Sequence, residues 1–141
     1  MTSCSDVMTR DPVCAYPDDA VAHVARLMRN EDIGPVPVVQ DDASKRLVGI
    51  VTDRDLAIKV VAEERNPTTT RVSEIMSTDV VTCRARDDIE MALDAMSKNQ
   101  LRRIPVVDDG DALVGIIAQA DVATRMNEPG KTGEVVREIS E

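Results

Sequence analysis

Aromatic residues are almost missing from this chain: among 141 residues Tyr16 stands alone, with no Phe and no Trp. Its core must be built from Val, Ile, Leu, Met and Ala, and a flat ligand would lie between aliphatic side chains rather than on a ring. Histidine occurs once, at His23, which leaves Ser-His-Asp and Cys-His chemistry without an evident base. The six glycines are scattered singly, so no glycine-rich phosphate loop is present. Cationic charge is also in deficit: 17 Lys and Arg stand against 26 Asp and Glu, a net charge of −9. That balance opposes binding to a nucleic acid, whose affinity comes largely from Lys and Arg on phosphates.

No segment approaches the ~18 apolar residues of a membrane span, and the opening MTSCSDVMTRDPV lacks the apolar run of a signal peptide. The expectation is a cytoplasmic protein with neither membrane nor nucleic acid as partner. Cys4, Cys14 and Cys83 follow no metal-ligand spacing, and free thiols are the plain expectation. Cys14 and Cys83 fall in roughly equivalent places along the chain, which makes a redox pairing of these two the alternative. The paired carboxylates Asp41-Asp42 and Asp108-Asp109 lie in predicted turns, where solvation explains them.

What is there is written twice. Val7-Met8-Thr9 returns as Ile75-Met76-Ser77, a step of 68 residues. Val21, Val24, Ala25 and Met28 have the spacing of one helix face, and the same step gives Ile89, Ala92, Leu93 and Met96. Aspartates precede both stripes, Asp18-Asp19 and Asp87-Asp88, where a carboxylate can cap a first turn. Val36-Pro37-Val38-Val39 and Ile104-Pro105-Val106-Val107 read as strands covered on both faces. After a loop two residues shorter in the second copy, Leu47–Val51 and Leu113–Ile117 are second strands at a step of 66. Each runs straight into a second helix, roughly Asp53 to Glu64 with Leu56, Ala57, Val60 and Val61 on its apolar face, and roughly Gln119 to Met126. The sequence thus divides into a repeat at 1–65, a linker at 66–71, a repeat at 72–127 and a tail at 128–141 with a short helix over 134–141. Each repeat is roughly β-α-β-β-α in an α/β protein. A unit that small buries little surface alone, so two copies should pack with pseudo-twofold symmetry.

The leading V/I-M-T/S segment, the apolar-acidic helix, the strands VPVV and RIPVV and the junctions GIVTDRD and GIIAQAD together resemble the CBS domain family. The resemblance covers about residues 5 to 126, and two such domains in tandem form a Bateman module. Among stand-alone members it is similar to the hypoxic response protein type. The resemblance implies a pair of clefts between the repeats and a sensor or regulatory role without catalysis. It also implies an adenosine-containing ligand, AMP, ADP, ATP or S-adenosylmethionine, and a homodimer that signals to an effector protein.

Carried onto this sequence, the family's ribose-binding aspartate falls at Asp55 and Asp121, and its Ser or Thr three positions earlier falls at Thr52 and at Ala118, which lacks the hydroxyl. The residues themselves leave two readings open at Thr52 and Asp55. Thr-x-x-Asp at a helix start is close to a capping box, and a carboxylate there also suits ribose hydroxyls. Arg54 adds positive charge at the first junction, with Lys59 just over a turn further on. Arg102 and Arg103 match a position that in the family reaches ligand phosphates, where the first repeat has Gly34-Pro35. Backbone beside Gly34 and Val36 would read the adenine edge. The two sites are therefore expected to be unequal, one competent and one weaker. A ligand-free pair serving protein interaction or dimerisation is the alternative, and the loss of the hydroxyl at Ala118 favours it.

Overall fold

A computed structural model describes residues 1–126, so the tail from 128 and its expected helix lie outside the described residues. The chain forms α1 (Cys4–Val7), β1 (Thr9–Arg10), α2 (Val21–Glu31), β2 (Val36–Val39) and β3 (Leu47–Val51). Then come α3 (Asp53–Asp55), which runs on as a π-helix over Leu56–Val61, and a 3-10 turn at Val72–Glu74. The order closes with β4 (Cys83–Arg84), α4 (Ile89–Lys98), β5 (Arg103–Val107), β6 (Leu113–Ala118) and α5 (Gln119–Met126). This is the doubled, mixed α/β arrangement that the period predicts.

The chain gathers into two compact units whose borders cross the sequence period. Among the described residues the β2–β3 unit comprises 13–80 with 111–113, and the β5–β6 unit comprises 1–12, 81–110 and 114–126. Each leading segment therefore sits in the unit of the other repeat. Backbone pairing holds it there. Thr9 and Arg10 pair antiparallel with Ile116 and Gly115 of β6, while Ser77 and Ile50 exchange two hydrogen bonds of 2.9 Å beside β3.

The strand orders correspond. In the β5–β6 unit the order is β1-β6-β5-β4, with β4 parallel to β5. In the β2–β3 unit β2 and β3 are antiparallel, and single bridges from Ser77 to Ile50 and from Ala15 to Val38 stand where β1 and β4 stand in the other. β2 is buried along its whole length and β5 is buried after Arg103, as strands covered on both faces should be. One core packs Val21, Val24 and Met28 of α2 with Val36, Val38 and Val51; the other packs Ile89, Ala92 and Met96 of α4 with Ile104, Val106 and Ile117.

Three expectations are corrected. Ala25 is exposed, leaving Val21, Val24 and Met28 as the buried stripe of α2. Asp18 and Asp19 do not cap α2: Asp18 pairs with Arg71 at 3.1 Å, and Asp19 accepts the Tyr16 N–H at 2.9 Å. Carbonyls of the connecting segment take the first N–H groups instead, Thr70 O from Val21 at 2.9 Å and Pro67 O from Ala22 at 3.0 Å. In α4 the expected cap is present, with Asp88 accepting the Glu90 N–H at 3.1 Å. The helix after β3 keeps Leu56 and Val60 inward, but Ala57 and Val61 face solvent. Its i to i+5 bond from Ala62 N to Ala57 O lengthens the turn, so an α-helical stripe no longer lines up. Among the described residues no helix is long and apolar enough to cross a membrane.

Candidate functional site

Each unit presents one strand-to-helix junction, and the same backbone bond closes both. Asp53 N donates to Gly34 O at 3.2 Å, and Gln119 N donates to Arg102 O at 2.8 Å. A residue one or two positions ahead of the buried strand is thereby fixed beside the first turn of the helix that follows its neighbour. Gly34, Val36, Thr52, Arg54 and Asp55 lie in the β2–β3 unit; Arg102, Arg103 and Asp121 lie in the β5–β6 unit.

At the first junction the capping box is formed. Thr52 accepts the Asp55 N–H on its hydroxyl at 3.1 Å, and Asp55 Oδ2 accepts the Thr52 N–H at 2.9 Å. The other oxygen, Oδ1, lies 3.2 Å from Lys59 Nζ, and Lys59 also donates to the carbonyl of Ile75 at 3.0 Å. Both carboxylate oxygens of Asp55 are thus engaged within the unit, with 17% of the side chain exposed. Arg54 points to solvent. A Cβ at Gly34 would lie 3.3 Å from Asp53 Oδ1, so glycine keeps that approach open. The Val36 side chain is fully buried in the core.

The second junction differs where the sequence differs. Ala118, buried at the end of β6, offers no hydroxyl, and no reciprocal box can form. Asp121 is exposed, and among the described residues its carboxylate has no hydrogen bond or ion pair. Arg102 is exposed and Arg103 is half-buried at the start of β5; the bond from Gln119 to Arg102 O brings this basic pair to the helix start that carries Asp121. An exposed carboxylate on the junction that the Arg102-Arg103 segment borders has the chemistry for a ribose and its phosphate.

Lys59 is the residue whose part the sequence concealed. Its Asp-to-Lys spacing of four foretells the pair with Asp55; nothing local foretells the carbonyl of Ile75, sixteen residues on. The methionines of the leading segments went similarly unread as partners. Met76 lies against Gly49, and Met8 against Gly115.

The CBS domain sequence profile matches residues 4–62 and again 72–128. The chain belongs to the CBS domain family. This CBS pair is 35% identical over 140 residues to the CBS domain-containing protein YhcV of Bacillus subtilis, covering 99% of this chain and 96% of that one. It is 34% identical over 128 residues to hypoxic response protein 1 of Mycobacterium tuberculosis, covering 91% and 87%. Its fold is similar to the CBS domain pair of protein MJ0100 in complex with 5'-methylthioadenosine and S-adenosyl-L-methionine, at a TM-score of 0.73 and 28% identity over 88% of this chain and 94% of that chain. Stand-alone CBS domain proteins are regulatory modules, not enzymes.

Proposed function

We propose that this CBS pair is a cytoplasmic sensor that binds an adenosine-containing ligand, AMP, ADP, ATP or S-adenosylmethionine, and that the Asp121 junction is its stronger site. The observation that carries this is the contrast between the two aspartates. Asp121 offers an exposed carboxylate that has no partner to displace among the described residues, on the junction closed by the Arg102 carbonyl. Asp55 must first leave its capping box and Lys59. The complex of MJ0100 with two adenosyl compounds supports the ligand class. Thr52, Arg54, Gly34 and the backbone at Val36 form the weaker site.

Titration calorimetry with each of the four ligands tests the reading. Heat of binding that Asp121→Ala abolishes and Asp55→Ala only weakens agrees with it; no heat from any ligand, or equal loss in both variants, refutes it.

One observation favours a second reading, a ligand-free module that pairs with another protein or a second copy. Val61 and Ile58 on the π-helix are 73% and 46% exposed, large apolar side chains on one helical segment. A homodimer through this face would be broken by Val61→Asp and read by sedimentation. Signal output in either reading requires an effector that distinguishes two states of the pair.

A further inference from the structure

The β5–β6 unit holds in one buried cluster two thiols that are 79 positions apart in the sequence, Cys4 on α1 and Cys83 on β4. Both are buried, at 0% and 5% exposure, in the same core cluster. Each thiol bears on the other's titration, Cys83 lowering Cys4 and Cys4 raising Cys83, as two neighbouring side chains do. The backbone sets them together. Cys4 N donates to Asp87 O at 2.8 Å and Ser5 N to Ala85 O at 2.9 Å, so the leading segment is strapped along the turn that follows β4. Each sulfur also lies 3.9 Å from a carbonyl, Cys4 from Asp88 and Cys83 from Pro105.

All three cysteines are free thiols, and the fold does not bring Cys14 and Cys83, the pairing foreseen, into one unit. Cys14 belongs to the β2–β3 unit, half-buried near Tyr16 and Lys45. Ala15 takes the register position that Cys83 holds in the other repeat, and the one-residue offset turns Cys14 to the opposite side of the chain.

We propose that Cys4 and Cys83 are a redox modification site, a dithiol that closes to an intramolecular disulfide under a peroxide oxidant. The Cys83 hydrogen bond draws the Cys4 thiol below its ordinary range, against burial and the nearby Asp87 and Asp88, while donation and burial push Cys83 up. Cys4 is therefore the attacking thiolate. It attacks one peroxide oxygen, the O–O bond breaks, and hydroxide leaves to take up a proton as water, giving a sulfenic acid on Cys4. Cys83 sulfur then attacks Cys4 sulfur, the S–O bond breaks, and the departing hydroxide takes the Cys83 proton as a second water. Two thiols lose two electrons and one hydrogen peroxide becomes two waters. Oxidant reaches the buried pair when the short strap of α1 opens locally. Once closed, the bond ties down the segment whose strand β1 borders β6, the strand that leads into the Asp121 junction.

The test oxidises the reduced full chain with hydrogen peroxide, denatures it, alkylates free thiols and weighs the intact protein. The expected product is lighter than the reduced chain by two hydrogens before alkylation and takes up one alkyl group, on Cys14, instead of three. Trypsin should release peptide 1–10 joined to peptide 72–84, and a thiol reductant should separate them. In Cys4→Ser, peroxide should leave both remaining thiols open to alkylation. Three alkylated thiols after oxidation of the wild-type chain, a bridge that includes Cys14, a bridge between two chains, or Cys4 stopped at sulfinic acid would each overturn the proposal. The linked-peptide readout uses the unaltered chain and stands even if the serine variant fails to fold.

Discussion

The sulfur of Met76 lies over Gly49 so closely that a Cβ on the glycine would stand 2.7 Å from Sδ and 2.9 Å from the carbonyl of Ser77. Gly115 has the same relation to Met8 and the carbonyl of Thr9. The glycine that opens each GI junction is thus the floor on which the other repeat's leading segment rests, and the V/I-M-T/S motif is its counterpart. Gly49→Ala should destabilise the protein by about 1–3 kcal/mol through overpacking. Met76→Ala in the same chain should recover part of this, because the thioether yields and the Ser77 carbonyl does not. Urea unfolding of the two singles and the double checks it: a coupling of at least about 0.5 kcal/mol is expected, and strict additivity would show that the two residues do not share the space.

The aspartates should separate in stability before any ligand is added. Asp55→Ala removes a formed cap and should cost about 1 kcal/mol, whereas Asp121→Ala removes an exposed carboxylate without a partner among the described residues and should stay within about 0.5 kcal/mol of wild type. Chemical denaturation of the three proteins reads the difference. A matching cost at Asp121 would mean that it, too, is structural.

Lys59 joins the helix after β3 to the leading segment that crosses from the second repeat. Lys59→Met keeps the stem and loses the bond to Ile75 O, which should cost about 1 kcal/mol. Amide exchange over Val72–Ser77 should quicken in the variant, while exchange in β5 stays as it was. Uniform quickening across both units would point to a global rather than a local effect.

Much of this fold was legible because its signals are local. The buried strands at Val36–Val39 and Ile104–Val107, the α4 stripe and the capping box at Thr52 all follow from residues within a turn or two of each other. What stayed hidden depends on partners far along the chain. Asp18 and Asp19 have the right chemistry to cap α2, yet Thr70 and Pro67 bring carbonyls to those N–H groups first. Period 68 groups Met8 with the helix after it, but backbone pairing with β6 assigns it elsewhere. Cys14 and Cys83 stand one register position off equivalence, 69 against a period of 68, and in a strand that single step reverses the side chain. At the site, the missing hydroxyl at Ala118 was plain, whereas the engagement of Asp55 by Lys59 as well as Thr52 needed coordinates.

Acid stability should carry the signature of Glu74. The Arg71 N–H at 2.7 Å and the Arg65 guanidinium at 2.5 Å hold its carboxyl below the ordinary glutamate value of 4.5. A carboxyl lowered on folding adds stability above its unfolded pKa and loses it as pH falls from there through the folded pKa. Wild-type stability should therefore decline below about pH 4.5 more steeply than that of Glu74→Gln. Parallel curves for the two proteins between about pH 3 and 6 would show that Glu74 makes no such contribution.

The most direct measurement is the melting temperature of the reduced chain with and without AMP, ADP, ATP or S-adenosylmethionine, repeated on Asp121→Ala and Asp55→Ala. A ligand present at about 100 times its dissociation constant adds roughly 2.7 kcal/mol, a rise on the order of 5–10 °C for a chain of this size. The account predicts that rise with at least one of the four ligands in wild type, most of it kept in Asp55→Ala and lost in Asp121→Ala. A wild-type melting temperature that none of the four ligands moves would contradict it.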